Sequence, residues 1–151
     1  MSSVTLLSWS LVFVLCITGS LSLECYYCSH KTGVGDGKAN VVESLVTGKE
    51  VQNRPECGDE EFDSDLAPTA KCTGKMDRCL LMSFTGQSGP YHSRGCVAST
   101  DPRCIPGSDT KPIEKDVTIH GFTITIAHKC CSTDKCNKDV VYQPKRKCMN
   151  Y

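Results

Sequence analysis

Cysteine is the residue type whose number and spacing most restrict the chemistry of this chain. The 151 residues include 12 cysteines, and a high cysteine fraction in a short chain is typical of a disulfide scaffold. Cys25 and Cys28 form a C-x-x-C motif that could be a redox pair. That chemistry needs a βαβ unit and a helix N-terminus to stabilise the thiolate, and the sequence indicates neither. We therefore expect these cysteines to be structural.

Other reactive groups lack the companions that catalysis or metal binding requires. No H-E-x-x-H motif and no close pairing of histidine with a carboxylate occurs, so no metal site is predicted. No G-x-S-x-G motif marks a nucleophilic serine. A small sheet of hairpins also offers little concave volume for a substrate. The sequence predicts a protein that is not an enzyme and binds no cofactor.

The charge pattern excludes a dedicated nucleic-acid binder. The chain has 17 basic and 17 acidic residues, so there is no basic excess to neutralise phosphates. Acidic residues cluster between 56 and 65. Their spacing does not match a calcium-binding EF-hand loop, so we expect a solvated surface loop.

Residues 1–22 have the features of a secretory signal peptide. Residues 6–17 are apolar except for two serines, and Ser20 and Ser22 are small residues at the positions preferred before a cleavage site. The apolar run is short for a membrane anchor. We predict cleavage before Leu23 and entry into an oxidising compartment, where thiols pair. The residues after Cys136 contain no hydrophobic tail of the kind a GPI signal needs. We therefore expect a secreted, extracellular product, or a GPI-anchored one at the cell surface if a longer product exists.

Strand signals outweigh helix signals in the rest of the chain. Apolar residues and threonines alternate over 117–126 and predict strand, with His120 and Gly121 where a turn or a bulge would fit. Residues 79–85 and 91–97 flank a Gly/Ser/Pro segment and predict a hairpin. Residues 39–46 are compatible with either a strand or a helical turn. His120 and His128 are expected on strand faces.

Two cysteine motifs carry a resemblance to a known family. The segment Leu23-Glu-Cys-Tyr-Tyr-Cys28 and the later Cys130-Cys131-x4-Cys136-Asn137 resemble the two ends of a lymphocyte antigen 6/urokinase receptor domain. That family has the three-finger fold shared with snake neurotoxins, a small all-β, disulfide-rich fold in which three hairpin loops project from a disulfide knot. The resemblance covers residues 23–137 and leaves residues 138–151 as a basic C-terminal tail.

The resemblance implies a disulfide pairing that the sequence alone leaves open. The implied pairs are Cys25–Cys79, Cys28–Cys57, Cys72–Cys96, Cys104–Cys130 and Cys131–Cys136. It also implies that the side chain of Asn137 ties the C-terminal end to the palm of the fold. The three fingers would be residues 29–56, about 80–95 and about 105–129. The first is long for the family, and its glycines at 33, 35 and 37 suggest a flexible tip.

The family resemblance further implies a non-enzymatic binding protein that modulates a membrane receptor or an ion channel through its finger loops. Nicotinic acetylcholine receptors and potassium channels are the familiar partners. We place the partner contact on finger two, because tyrosine and arginine are enriched at binding hot spots. The predicted contact residues are Gln87, Tyr91, His92 and Arg94.

Cys148 has no counterpart in the family, so functions other than receptor modulation also have to be considered. An odd cysteine in a secreted chain indicates either intermolecular pairing, which would give a homodimer, or a capped thiol. A structural, adhesive or junctional cell-surface component acting by self-association is therefore one alternative. A venom-type three-finger toxin is another, although the long first finger, the zero net charge and the tail disfavour it.

Overall fold

The computed structural model describes residues 22–33, 41–58, 62–86, 89–119 and 121–139. Within these residues the chain forms nine β-strands and two short 3₁₀ turns, at Pro55–Cys57 and Cys136–Lys138. The predicted small all-β, disulfide-rich fold is confirmed. The strands are β1 (Glu24–Tyr26), β2 (Cys28–Lys31), β3 (Val41–Glu43), β4 (Glu50–Gln52), β5 (Thr69–Lys71), β6 (Met76–Gly86), β7 (Gly89–Ala98), β8 (Ile113–Ile119) and β9 (Phe122–Cys131).

A five-stranded antiparallel sheet forms the centre of the molecule, in the order β2-β7-β6-β9-β8. Strands β6 and β7 make one long hairpin in which Leu80 lies opposite Gly95. Strands β8 and β9 make the other, with Gly121 at φ +83° in the turn, a backbone conformation that glycine adopts without strain. The hairpin predicted over residues 79–97 is confirmed, and the second hairpin forms where the sequence left a turn or a bulge open.

Finger one adds a smaller hairpin that we call the finger-one hairpin, residues 41–52. The segment 39–46, which the sequence leaves undecided, contains strand β3 and then turns. The turn is closed by the amides of Ser44 and Gly48, which donate to the carbonyls of Lys49 (2.8 Å) and Ser44 (2.7 Å). Gly48 has φ +63°. This finger therefore has a strand pair of its own in addition to β2.

The finger-one hairpin lies against one face of the central sheet. Ser44 and Ser93 share a hydrogen bond between their hydroxyls at 2.9 Å, and both residues are buried. Val46 packs in an apolar cluster with Leu80, Val97 and Cys130. We call this side of the sheet the hairpin face. Since directly paired residues of antiparallel strands share a face, the hairpin face also carries Met82 and His128.

Disulfides gather at one end of the sheet. The structure joins Cys25 to Cys79, Cys28 to Cys57, Cys72 to Cys96, Cys104 to Cys130 and Cys131 to Cys136, the same pairs that the family resemblance implies. Sulfur atoms of three of these bridges pack together in one buried cluster. Because bridges of this kind restrict the unfolded chain, they stabilise fingers that would be marginal as isolated hairpins.

The beginning and end of the described domain meet beside this cluster. Asn137 is fully buried, and its amide group donates to the carbonyls of Tyr26 (3.0 Å) and Leu80 (3.2 Å). Its carbonyl oxygen accepts from the backbone amide of Tyr26 at 3.1 Å. The amide of Lys135 donates to the carbonyl of Glu24 at 2.7 Å. These bonds connect the last described turn to both β1 and the central sheet.

Gly95 makes room for the finger-one hairpin. A Cβ atom at this position would come within 3.0 Å of the Cγ atoms of both Val46 and Thr47, closer than packed carbon atoms tolerate. We expect Gly95→Ala to push the hairpin from the sheet and to lower the free energy of unfolding by about 1–3 kcal/mol. Chemical denaturation measures this loss. Gly86→Ala is the matched control, because a Cβ atom there would lie 3.4 Å from the ring of Phe84 on the same strand and 3.8 Å from the Gly89 carbonyl across the hairpin. Equal losses from both substitutions would contradict the steric reason.

Candidate docking surface

Three of the four residues predicted to contact a partner lie in the interior. Tyr91, His92 and Arg94 are 6%, 3% and 1% exposed, while Gln87 lies outside the described residues. A partner cannot reach side chains that the fold already encloses. The structure therefore gives these three residues a supporting role, which corrects the docking role predicted for them.

Arg94 braces the C-terminal end of the domain. Its guanidinium group donates to the backbone carbonyls of Asn137 and Asp139, the second at 3.2 Å. It also lies over the ring of Phe62, 4.1 Å from the ring centroid, an arrangement that attracts a cation to an aromatic face. Arginine is enriched at binding hot spots, but Arg94 makes its contacts inside the domain.

Tyr91 and His92 support neighbouring strands. The ring of Tyr91 stacks on Phe84 with centroids 5.4 Å apart, and its hydroxyl donates to the carbonyl of Glu43 on the finger-one hairpin. Burial raises the pKa of the Tyr91 hydroxyl, partly offset by a hydrogen bond from Ser29. His92 lies between His30 on β2 and Ser83 on β6, on the face opposite the hairpin face.

Among the described residues, the outer side of the finger-one hairpin carries two exposed large apolar side chains. Val41 is 53% exposed and Leu45 is 36% exposed. Glu43 lies between them in sequence and is paired directly with Glu50 across the two strands, and both glutamates are exposed. Like charges placed opposite each other destabilise a free hairpin. This outer face therefore combines accessible apolar side chains with two exposed carboxylates.

Sequence reasoning missed this surface because finger one offered no decisive pattern. Val41 and Val42 are identical in type, yet the first is exposed and the second is buried. Only strand alternation separates them, and eight residues that fit a strand or a helical turn equally well do not reveal which valine points outward. The assignment of residues 41–43 to β3 supplies that information.

Arg103 holds this hairpin in place from the sheet side. Its guanidinium group donates to the carbonyls of Leu45 at 2.8 Å and Val46 at 3.4 Å. The same group makes a forked contact with Asp101, at 2.8 Å from Nε to Oδ1 and 2.7 Å from Nη2 to Oδ2. The hydrogen bonds from Arg103 hold the pKa of the Asp101 carboxyl below its ordinary value. Asp101 therefore stays ionised and orients the guanidinium toward the hairpin.

The described residues contain one cluster of potential metal ligands and an open cleft. The one group of three potential ligands found among them consists of Cys25, Cys72 and Cys96. All three sulfurs are in disulfides, and a metal needs the thiolate. An open cleft of about 300 Å³ lies between Arg78 and the loop after Cys104. Its lining includes no histidine or thiol that could act as a nucleophile.

Some predicted features lie outside the described residues. These are residues 1–21 of the predicted signal peptide, Gly35 and Gly37 of the predicted flexible tip, His120, and residues 140–151 of the predicted tail, which include Cys148. Within the described residues, no helix is long and apolar enough to cross a membrane.

Comparison with known families gives a match over more than half of the chain. A family model described as the u-PAR/Ly-6 domain matches residues 55–139, a span that begins just before Cys57 and ends just after Asn137. A comparison with curated proteins gives no significant match.

Proposed function

Because this chain belongs to the u-PAR/Ly-6 domain family, we propose that it is an extracellular protein that docks onto a membrane receptor or ion channel and modulates it. Proteins of this family are typically non-enzymatic binding proteins, found outside the cell or at the cell surface. The apolar segment over residues 6–17 supports export through a cleaved signal peptide. We also propose that the protein is secreted and is not held at the membrane by a GPI anchor.

The outer side of the finger-one hairpin is the proposed docking face. Its accessible Val41 and Leu45 side chains are the observation that carries this assignment. Large apolar side chains gain binding energy when a partner removes them from water. The paired Glu43 and Glu50 carboxylates favour a partner with arginine or lysine around an apolar pocket, since opposite charges guide association and select partners.

The face is anchored well enough to act as a rigid docking element. Ser44, Val46 and the carbonyls bound by Arg103 and Tyr91 attach its inner side to the sheet. A preorganised surface loses little conformational entropy on binding, which increases affinity. The disulfide cluster at the base of the fingers restrains the sheet beneath it in the same way.

We expect the double substitution Val41→Ser and Leu45→Ser to weaken binding to intact cells by at least about tenfold, because fully burying a valine or leucine side chain contributes about 1.5–3 kcal/mol. The measurement is saturation binding of fluorescently labelled protein across a panel of cell types. A circular dichroism spectrum and melting temperature like those of the wild type establish that the variant is folded.

Leu66→Ser is the matched control for this prediction. Leu66 is 71% exposed but lies in the turn after Asp63, outside the finger-one hairpin, so its loss should leave cell binding unchanged. If the double substitution binds like the wild type while Leu66→Ser does not, the docking face includes Leu66 and not the finger-one hairpin.

A further inference from the structure

A buried histidine lies close to the contact that holds the finger-one hairpin on the sheet. His128 on β9 is 6% exposed, and its Nε2 atom has no hydrogen-bond partner among the residues that the structure describes. It lies directly opposite Met82 on β6 and Ile113 on β8. A buried polar atom without a partner costs free energy, and the docking function proposed above does not use this side chain.

Arg103 links the finger-one hairpin to the immediate neighbour of His128. It donates to the Leu45 and Val46 carbonyls on the hairpin, and its Nη1 atom also lies 3.7 Å from the sulfur of Met82. Because Met82 and His128 are directly paired, Arg103 and His128 occupy the same part of the hairpin face. The same guanidinium therefore adjoins both the hairpin and the histidine.

The charges around His128 are mostly positive. Lys115 faces it from β8, and Arg103 and Asp101 face it from the loop before Cys104. No charged group of β6 or of the finger-one hairpin acts on it among the described residues. Both oxygens of Asp101 already accept from Arg103. Protonation of His128 would therefore place a third positive charge beside those of Arg103 and Lys115. The Asp101 carboxylate that could balance it is already bound to Arg103.

We propose that His128 and Arg103 form an acid-sensitive latch, which keeps the finger-one hairpin on the sheet near neutral pH and releases it on acidification. Protonated His128 repels Arg103 and competes with it for Asp101, so Arg103 leaves the Leu45 and Val46 carbonyls. Opening of the hairpin then gives the imidazolium access to water. The latch does not depend on which partner binds, and it does not require the proposed docking function.

The direction of the pH dependence follows from the difference between the pKa of His128 in the closed state and its pKa in the open state of the hairpin. Burial lowers the pKa of His128, and the charges of Arg103 and Lys115 lower it further, while Asp101 partly offsets them. In the open state the side chain would titrate near the ordinary histidine value of about 6.5. The closed state is therefore fully favoured above that value, and it loses stability as the pH falls below it.

Hydrogen–deuterium exchange of the full chain, followed by mass spectrometry, tests the latch. Exchange in peptides covering residues 41–52 is compared at about pH 7.4 and about pH 5, after correction for the intrinsic rate. We expect the hairpin to open more often at pH 5, by at most about thirtyfold, because that pH lies about 1.5 below the ordinary histidine pKa of the open state. Peptides from β6 and β7 should keep their protection, which shows that the domain stays folded.

Variants separate the latch from general acid sensitivity. His128→Gln should keep the hairpin protected at both pH values, and His128→Asn serves if the glutamine is not accommodated. Arg103→Gln should expose the hairpin at both pH values. His30→Gln, on the opposite face, should retain the acid response. Equal protection of the wild type at both pH values, or an acid response that persists in both His128 variants, would overturn the proposal.

Discussion

Replacing both Cys25 and Cys79 with alanine is expected to lower the free energy of unfolding by about 4 kcal/mol. The bridge closes a loop with a sequence separation of 54 residues, and a long loop restricts the unfolded chain strongly. Both cysteines are fully buried in the cluster where three bridges meet. Guanidinium denaturation under non-reducing conditions measures the loss.

The bridge between Cys131 and Cys136 provides the matched comparison. Its sequence separation is only 5, so removing it in the same way should cost about 2 kcal/mol in the loop-entropy description. It belongs to the same end of the sheet, so the packing environment is similar. If both double substitutions destabilise the protein equally, packing within the cluster, rather than loop length, determines what these bridges contribute.

Asn137→Ala is the second substitution with a large expected effect, a loss of about 3 kcal/mol or more, because truncation leaves several buried backbone groups without partners. The amide and carbonyl of Tyr26 and the carbonyl of Leu80 would each lose a hydrogen bond. The connection between the last turn and β1 would also weaken. Thermal and chemical denaturation measure the loss.

Asn53 is the control residue, since it makes a similar pair of side-chain bonds at a partly exposed site. Its side chain accepts from the Lys31 amide at 2.8 Å and donates to the Lys31 carbonyl at 3.4 Å. Water can replace these bonds, so Asn53→Ala should cost only about 1 kcal/mol. Comparable losses at the two positions would show that burial of the Asn137 contacts does not determine how much free energy of unfolding they contribute.

Much of the fold was predictable because its signals are local or covalent. The alternation over 117–126 predicts strand and the Gly/Ser/Pro turn before Tyr91 predicts a hairpin, each from a few residues, and β8–β9 and β6–β7 form there. The cysteine order carried the family resemblance. Pairing itself required the resemblance, because sequence spacing does not decide between alternative partners.

The docking surface was less predictable because it depends on which side of each strand is covered. Tyr91 and Arg94 have the residue types of hot spots, yet long-range contacts with Glu43 and Asn137 enclose them. Those contacts join residues 48 and 43 positions apart. Residue type suggests how strongly a side chain could bind, but only the packing of distant segments determines whether a partner can reach it.

The hydrogen bonds between β1 and the turn at Lys135 and Asn137 also determine how the chain of this domain can be reconnected. Both ends of the described domain lie beside the disulfide cluster, so a short linker could join them, and new termini could be opened in an exposed turn such as the one at Gly107. Domains with adjacent ends generally tolerate circular permutation and insertion into other proteins. The same geometry suits a domain presented singly or in tandem, because both connections leave from one side.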